Sequence, residues 1–171
     1  MKTVLYMGIS INGYIARQNG DVKWNSPEGW KSFYDHGKQA GNYIMGANTY
    51  LAAVADGDFP FAGVLNIVMV HQEIEKEWGP QVIFTKKTPR EVLAEVEQKG
   101  FETALVIGGG KLNSSFASEN LIDEVYIDIE PTAFGKGVPL FEGSDFEMNL
   151  RLIETKQLSS NTIQLHYQVI K

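Results

Sequence analysis

The stretch ALVIGGGKLNSSFASENLIDEVYIDI, Ala104–Ile129, decides how this chain is read. An apolar run ends at Ile107, three consecutive glycines follow, KLNSSFAS reads as the first turns of a helix, and a second strand-like run opens at Glu124. Strand, tight turn, helix and strand in that order form one unit of a parallel sheet, whose crossovers are helical. The glycines allow two readings. Without side chains they let backbone approach a ligand, and the free amides of a helix N-terminus favour an anion such as a pyrophosphate; they equally suit a tight turn with unusual dihedrals. The run is not the Rossmann G-x-G-x-x-G, because Asn113 stands at the third glycine, nor a P-loop, which needs four residues between its first glycine and Gly-Lys.

The same unit recurs on either side. Strand-like runs fall at Val4–Ser10, Tyr43–Met45, Val64–Val70, Val82–Phe84, Thr103–Ile107 and Glu124–Glu130. In NYIMGANTYLAAVA a second glycine, Gly46, ends a short strand ahead of a helical segment, where Asn48 or Thr49 can cap the helix or offer polar groups to a phosphate. TPREVLAEVEQKG predicts a helix with Thr88 as N-cap, Pro89 at its first position, Glu91 closing a capping box, an apolar face of Val92, Leu93 and Val96, and a stop at Gly100. The nearly continuous apolar character of VLNIVMV and TALVI suits strands covered on both faces. Phe146–Leu158 and Thr162–Ile170 alternate apolar and polar around SSN, which predicts a terminal antiparallel hairpin. The expected architecture is α/β: about eight strands in one mixed, mostly parallel sheet flanked by helices, forming a single domain over residues 1–171. Two strand–glycine–helix junctions would then meet at the carboxyl ends of their strands, where open α/β sheets bind ligands.

Composition narrows the function classes. The chain has 171 residues, 43% of them hydrophobic, a formal net charge of −6, and arginine only at Arg17, Arg90 and Arg151. That balance argues against a nucleic-acid surface, which needs clustered cations. The lack of cysteine removes disulfides and thiolate chemistry and suits the cytoplasm. No run approaches the roughly 20 apolar residues of a membrane span, and MKTVLYMGIS reads as a first strand, not a signal peptide. His36, His71 and His166 are too scattered to suggest a metal site.

SINGYIA, IMGANTY, VMVHQE, VIGGGKL and LIDEVYIDIEPTAFGKGVPLF, in that order, resemble the dihydrofolate-reductase-like superfamily and more closely the RibD C-terminal domain, the reductase of bacterial riboflavin biosynthesis. The resemblance implies an NADPH-dependent reductase, such as a 5-amino-6-(5-phosphoribosylamino)uracil reductase, and a homodimer. It places Gly8 and Ile15 at the nicotinamide, Gly46, Ala47, Asn48 and Thr49 at the pyrophosphate and ribose, His71 and Gln72 at the adenosine, and Gly108, Gly109, Gly110, Lys111 and Leu112 at the pyrophosphate, with a cis peptide between Gly108 and Gly109. Ser10–Trp30 falls where the superfamily carries a loop that closes on the nicotinamide, with bends at Gly13 and Gly20 and apolar contacts from Ile15 and Trp24.

Departures shape the remaining expectations. Relatives often carry an arginine for the cofactor 2′-phosphate where Ala47 stands, which opens the way to NADH, with Lys86, Lys87 and Lys111 as alternative cations. WNSPEGW resembles the WNLPADL-like run of folate reductases, but their acid position is Gly29; Glu28 is adjacent, and one helical step turns a side chain by about 100°. Folate reduction is therefore not expected. Asp128 either faces the cleft, to bind an amine or carry a proton, or is an edge-strand charge; Glu28 and Asp128 are the catalytic candidates. Phe59 and Phe61 either pack in the core or wall a pocket. The alternative to a reductase is a binding module of the same fold without turnover.

Overall fold

The computed structural model describes all residues, Met1–Lys171. The strands are β1 (Lys2–Ser10), β2 (Tyr14–Arg17), β3 (Asn42–Gly46), β4 (Leu65–Met69), β5 (Val82–Thr85), β6 (Thr103–Val106), β7 (Glu124–Glu130), β8 (Gly137–Pro139), β9 (Asn149–Gln157) and β10 (Ile163–Ile170). The helices are α1 (Pro27–Ala40), α2 (Ala47–Asp56), α3 (Pro89–Gln98) and α4 (Gly110–Ser118). Eight strands form one sheet in the order β5-β4-β3-β6-β1-β7-β10-β9, and β2 pairs with β8 in a small separate ribbon. β5 to β7 run parallel, while β10 is antiparallel to both β7 and β9, so a mostly parallel sheet ends in an antiparallel hairpin as expected.

Alternation along each strand feeds two cores. Leu5, Ile44, Ile67, Val106 and Val125 point to one face, where Val92 and Val96 of α3 and Phe116 of α4 cover them. Val4, Tyr6, Tyr43, Met45, Val68 and Leu105 point to the other, under Ala40 and Phe33 of α1 and Tyr50 of α2. Burial on both faces accounts for the continuous apolar runs of the central strands. Buried Asn42 ties two of them: its Oδ1 accepts from Leu105 N (3.1 Å) and its Nδ2 donates to Thr103 O (2.6 Å).

Helix α3 starts as its sequence predicts, with Thr88 Oγ1 accepting from the Glu91 amide and Glu91 accepting from the Thr88 amide; its last cap is Lys99, ahead of Gly100. Three differences stand out. The short strands β2 and β8 are absent from the expected pattern, because segments of four and three residues leave no readable period. The hairpin begins at Asn149 and not Phe146, since Phe146 packs against Phe141 (4.8 Å between ring centres). Every residue of β9 is exposed, so its alternation marks an open edge and no buried face.

Gly37 shows how tightly α1 seats. A Cβ built there would lie 1.9 Å from the Tyr43 hydroxyl, and Tyr43 has nowhere to go: its ring is stacked on Phe33 (4.7 Å, 6°) and its hydroxyl donates to Phe33 O (3.1 Å). Gly37→Ala should therefore destabilise the protein by roughly 1–3 kcal/mol through overpacking, although alanine is the better helix former by about 1 kcal/mol. Thermal or urea melting checks this; an unchanged midpoint would mean that α1 slides freely over Tyr43.

Candidate functional site

A cleft of about 1030 Å³ runs across the carboxyl ends of the central strands. Both strand–glycine–helix junctions open into it. Gly46 is the N-cap of α2 and Gly109 the N-cap of α4, and neither helix has a side-chain cap. Asn48 and Thr49 thus lie inside the first turn of α2 and do not cap it, leaving the first amides of both helices without side-chain partners. The Gly46 amide donates to Gly108 O (2.8 Å), which locks the two turns together, and the Gly108–Gly109 peptide is cis, as the resemblance implies.

Of the expected cofactor positions, Gly8, Ile15, Gly46, Ala47, Asn48, Thr49, His71, Gly109, Gly110, Lys111 and Leu112 line the cleft. Gly108 is buried just beneath it, its carbonyl engaged by Gly46. Gln72 does not line it: the chain runs past the end of β4 at Met69, and Gln72 turns to solvent. Lys86 and Lys87 do line it, paired outward with Glu73 (3.3 Å) and Glu95 (2.8 Å).

The other end of the cleft is built on β1, β7 and α1. In register, Gly8 and Gln164 flank Asp128 on the neighbouring strands, so β7 is an interior strand and the edge-charge reading of Asp128 is corrected. The carboxyl is only 1% exposed yet contributes to the cleft wall. Its Oδ2 accepts from the Tyr6 hydroxyl, and its Oδ1 accepts from Gln164 Nε2 (2.7 Å), which also donates to Ser32 Oγ (2.9 Å). Burial pushes the Asp128 pKa up to about 6, with the nearby Glu130 charge adding to the rise and the hydrogen bonds from Tyr6 and Gln164 opposing it. Burial and the Asp128 charge hold the Tyr6 phenol far above its ordinary value, so Tyr6 stays neutral.

Glu28 is not part of this arrangement. It is exposed in the first turn of α1 and absent from the cleft wall. The space beside Gly29 is taken instead by Glu130, whose Oε1 lies 2.3 Å from where a Gly29 Cβ would sit. Glu130 accepts from Ser26 Oγ (2.9 Å), the α1 N-cap, and from Thr162 Oγ1 (3.1 Å). The acids of this region therefore come from a strand and not from the helix. Trp24 also misses the cleft, packing edge-on against Phe134 (5.1 Å), whereas Ile15 reaches it from β2. Gly13 and Gly20 hold the positive φ angles (87° and 86°) that shape the turns flanking β2. Phe61 walls the cleft, and Phe59 is core.

Tyr6, Gln164, Ser32 and Glu130 are partners that sequence reasoning missed. The available signal was weak: Gln164 is one of several polar residues of β10, with His166 and Gln168, and only the register reveals what it meets.

The fold is that of the dihydrofolate-reductase-like reductases, and the sequence matches the RibD C-terminal domain family over residues 61–164. The chain belongs to that family. It is 31% identical over 170 residues to the uncharacterized protein YwjB of Bacillus subtilis (strain 168), covering 97% of each chain. Among solved structures it superposes on a provisionally assigned riboflavin biosynthesis protein from Shewanella sp. PV-4 with a TM-score of 0.83 and 25% identity over 100% of both chains. The diaminohydroxyphosphoribosylaminopyrimidine deaminase/5-amino-6-(5-phosphoribosylamino)uracil reductase of Thermotoga maritima shares the fold with a TM-score of 0.77 at 18% identity, and 99% of this chain spans 56% of that one. No helix is long and apolar enough to cross a membrane.

The raised Asp128 pKa has a consequence for stability. A carboxyl lifted from 3.8 to about 6 favours the folded state most below pH 3.8, and that contribution is lost as the pH rises through 6. The difference is worth up to roughly 3 kcal/mol. Asp128→Asn should therefore melt higher than the parent above pH 6 and lose that advantage toward pH 3.8, as calorimetry across the range will show. A gap independent of pH would mean that folding does not raise the Asp128 pKa.

Proposed function

We propose that the chain is an NAD(P)H-dependent reductase acting on a small heterocyclic or carbonyl substrate, of the kind represented by 5-amino-6-(5-phosphoribosylamino)uracil reductases. One observation carries this reading. Two helix N-termini without side-chain caps, joined by the Gly46–Gly108 hydrogen bond, open into the same cleft that holds a buried carboxyl at its other end. The amide ends suit a pyrophosphate, and Lys86, Lys87 and Lys111 supply cations along the same wall. Membership of the RibD C-terminal family supports the same reading.

A bound nicotinamide cofactor would supply the hydride. The residues of this chain do the rest. The two glycine turns and Lys111 hold the diphosphate, Ile15 and the β1–β2 segment shelter the reacting end from water, and Asp128 stands where a proton can be held. Ala47, in place of a phosphate-binding arginine, leaves discrimination between NADPH and NADH to Lys86 and Lys87.

Titration with NADPH and NADH tests this directly: binding at micromolar to submillimolar levels is expected, with NADPH favoured if the lysines take the 2′-phosphate. Failure of both to bind at millimolar concentration would sink the reductase reading, and binding without turnover on pyrimidines, pterins and carbonyls would leave a binding module of the same fold.

The reading includes a homodimer. β9 is an edge strand exposed along its whole length and carries Leu150, Leu152 and Ile153, an arrangement prone to pair with another chain. Antiparallel pairing of two copies between Leu152 and Ile153 would set Arg151 of one copy against Glu154 of the other. Sedimentation should show a dimer at micromolar concentration that Leu152→Lys converts to monomer; a monomeric parent protein would refute it.

A further inference from the structure

One helix gives the cleft its polarity. Helix α2 lines it at both ends, with Ala47, Asn48 and Thr49 in its first turn and Ala55 and Asp56 in its last, and Asp58 follows just past the Gly57 cap. Its length of 10 residues sets these ends about 15 Å apart at roughly 1.5 Å per residue. The first turn has no acidic residue and no side-chain cap, so its amides keep their positive end for an anion. The last turn has no basic residue, and Asp56 and Asp58 add their charges to the negative end of the helix dipole. Acids at that end work against the helix, which favours a cation there. Lys23 answers Asp56 at 3.2 Å but is itself no part of the cleft wall. Asp58 is exposed in the wall and forms no ion pair.

The wall beside Asp58 is aromatic. Phe61 follows it closely in the chain, Phe33 sits edge-on to Phe61 at 5.3 Å and Trp30 edge-on to Phe33 at 5.7 Å, and all three rings line the cleft. Tyr34 joins them at 5.3 Å from Phe33, and burial together with the Asp58 charge raises the pKa of its phenol. A carboxylate next to aromatic faces suits an organic cation: the carboxylate and the ring quadrupoles attract its charge, and the rings cover its methylene groups. An anion finds no partner at this end. Neither α1, α2 nor the segment joining β2 to α1 gives the wall a lysine or arginine; the lysines of the cleft are Lys86 and Lys87 beyond β5 and Lys111 at the start of α4.

We propose that the ligand held beside the cofactor is cationic: a flat apolar body carrying a protonated amine or a quaternary ammonium group, with that group set against Asp58 and the rings of Trp30, Phe33 and Phe61. The substrate class narrows to amine-bearing rings or carbonyls without a phosphate, because a phosphoribosyl group would bring its charge to the wrong end of α2. This deepens the reductase reading, and it rests on that reading only for the chemistry that follows binding.

The test uses three dansyl probes that share one fluorophore and differ in the end of the tail. Dansylcadaverine is cationic, its N-acetyl derivative is neutral, and dansyl-ε-aminocaproate is anionic. Titrated by fluorescence into the full chain, dansylcadaverine should bind about tenfold tighter than the acetylated probe. Asp58→Asn, a change at an exposed side chain, should bring the two within about threefold. Glu147→Gln removes the same charge from an exposed position outside the cleft and should leave the preference intact. Four results would each overturn the proposal: no binding of dansylcadaverine at millimolar concentration, an anionic probe that binds as tightly as the cationic one, a preference that survives in Asp58→Asn, or an equal loss in Glu147→Gln, which would mean attraction by net charge alone. NADPH binding with no preference among the probes rejects this assignment alone, and a preference without NADPH or NADH binding rejects only the reductase reading.

Discussion

A single backbone hydrogen bond organises the site. The Gly46 amide reaches the Gly108 carbonyl across adjacent strands, and both turns that it joins lead into helices whose first amides have no side-chain partner. Everything on the glycine-turn side of the cleft depends on that closeness. A Cβ at Gly46 would rest against Leu112 and the Gly108–Gly109 turn at 3.7–3.8 Å, and one at Gly109 against Thr49 at 3.6 Å, so the two turns already lie within contact distance of each other. The sheet around it is rigid because both faces are covered and because buried polar groups such as Asn42 are paired to backbone.

At the opposite end a different constraint operates. Taking a carboxyl out of water costs several kcal/mol unless it is hydrogen-bonded or protonated. Asp128 combines both remedies, with two donors and a pKa lifted to about 6, while Glu130 relies on the hydroxyls of Ser26 and Thr162. The N-cap of α1 thus has two tasks, since Ser26 accepts from the Gly29 amide (3.0 Å) and donates to Glu130. Gly29 is what lets the helix sit this low over the acids. The cleft thus runs from Lys86 and Lys87, beyond β5, to the buried carboxyl of Asp128 on β7.

The fold was largely legible because its signals are local. Short apolar runs, the Thr88 capping box and the SSN turn each announce themselves within a short window, and all eight main strands fall where those signals lie. Ribbon β2–β8 was not legible because its pairing joins Tyr14–Arg17 to Gly137–Pro139, across the whole chain. The site was half legible for the same reason. Glycine turns are sequence motifs, but the surroundings of Asp128 come from β1, α1 and β10, and a one-residue change in register would have pointed it into the other core. Glu28 was the natural substitute by adjacency and fails because its side chain leaves the helix on the solvent side.

The location of the acid has a bearing on how such a domain can diversify. A helix or loop that carries its key carboxylate must keep that residue in place whenever the pocket is remodelled. Here the carboxyl rides on β7, hydrogen-bonded on both sides to β1 and β10. The segment between β1 and α1 and the Phe59–Phe61 turn make no hydrogen bond to it, whereas α1 is tied to its surroundings through Gly29 and Ser32. The sheet fixes the polar anchor, while part of the cleft wall rests on connecting segments that do not hold it in place.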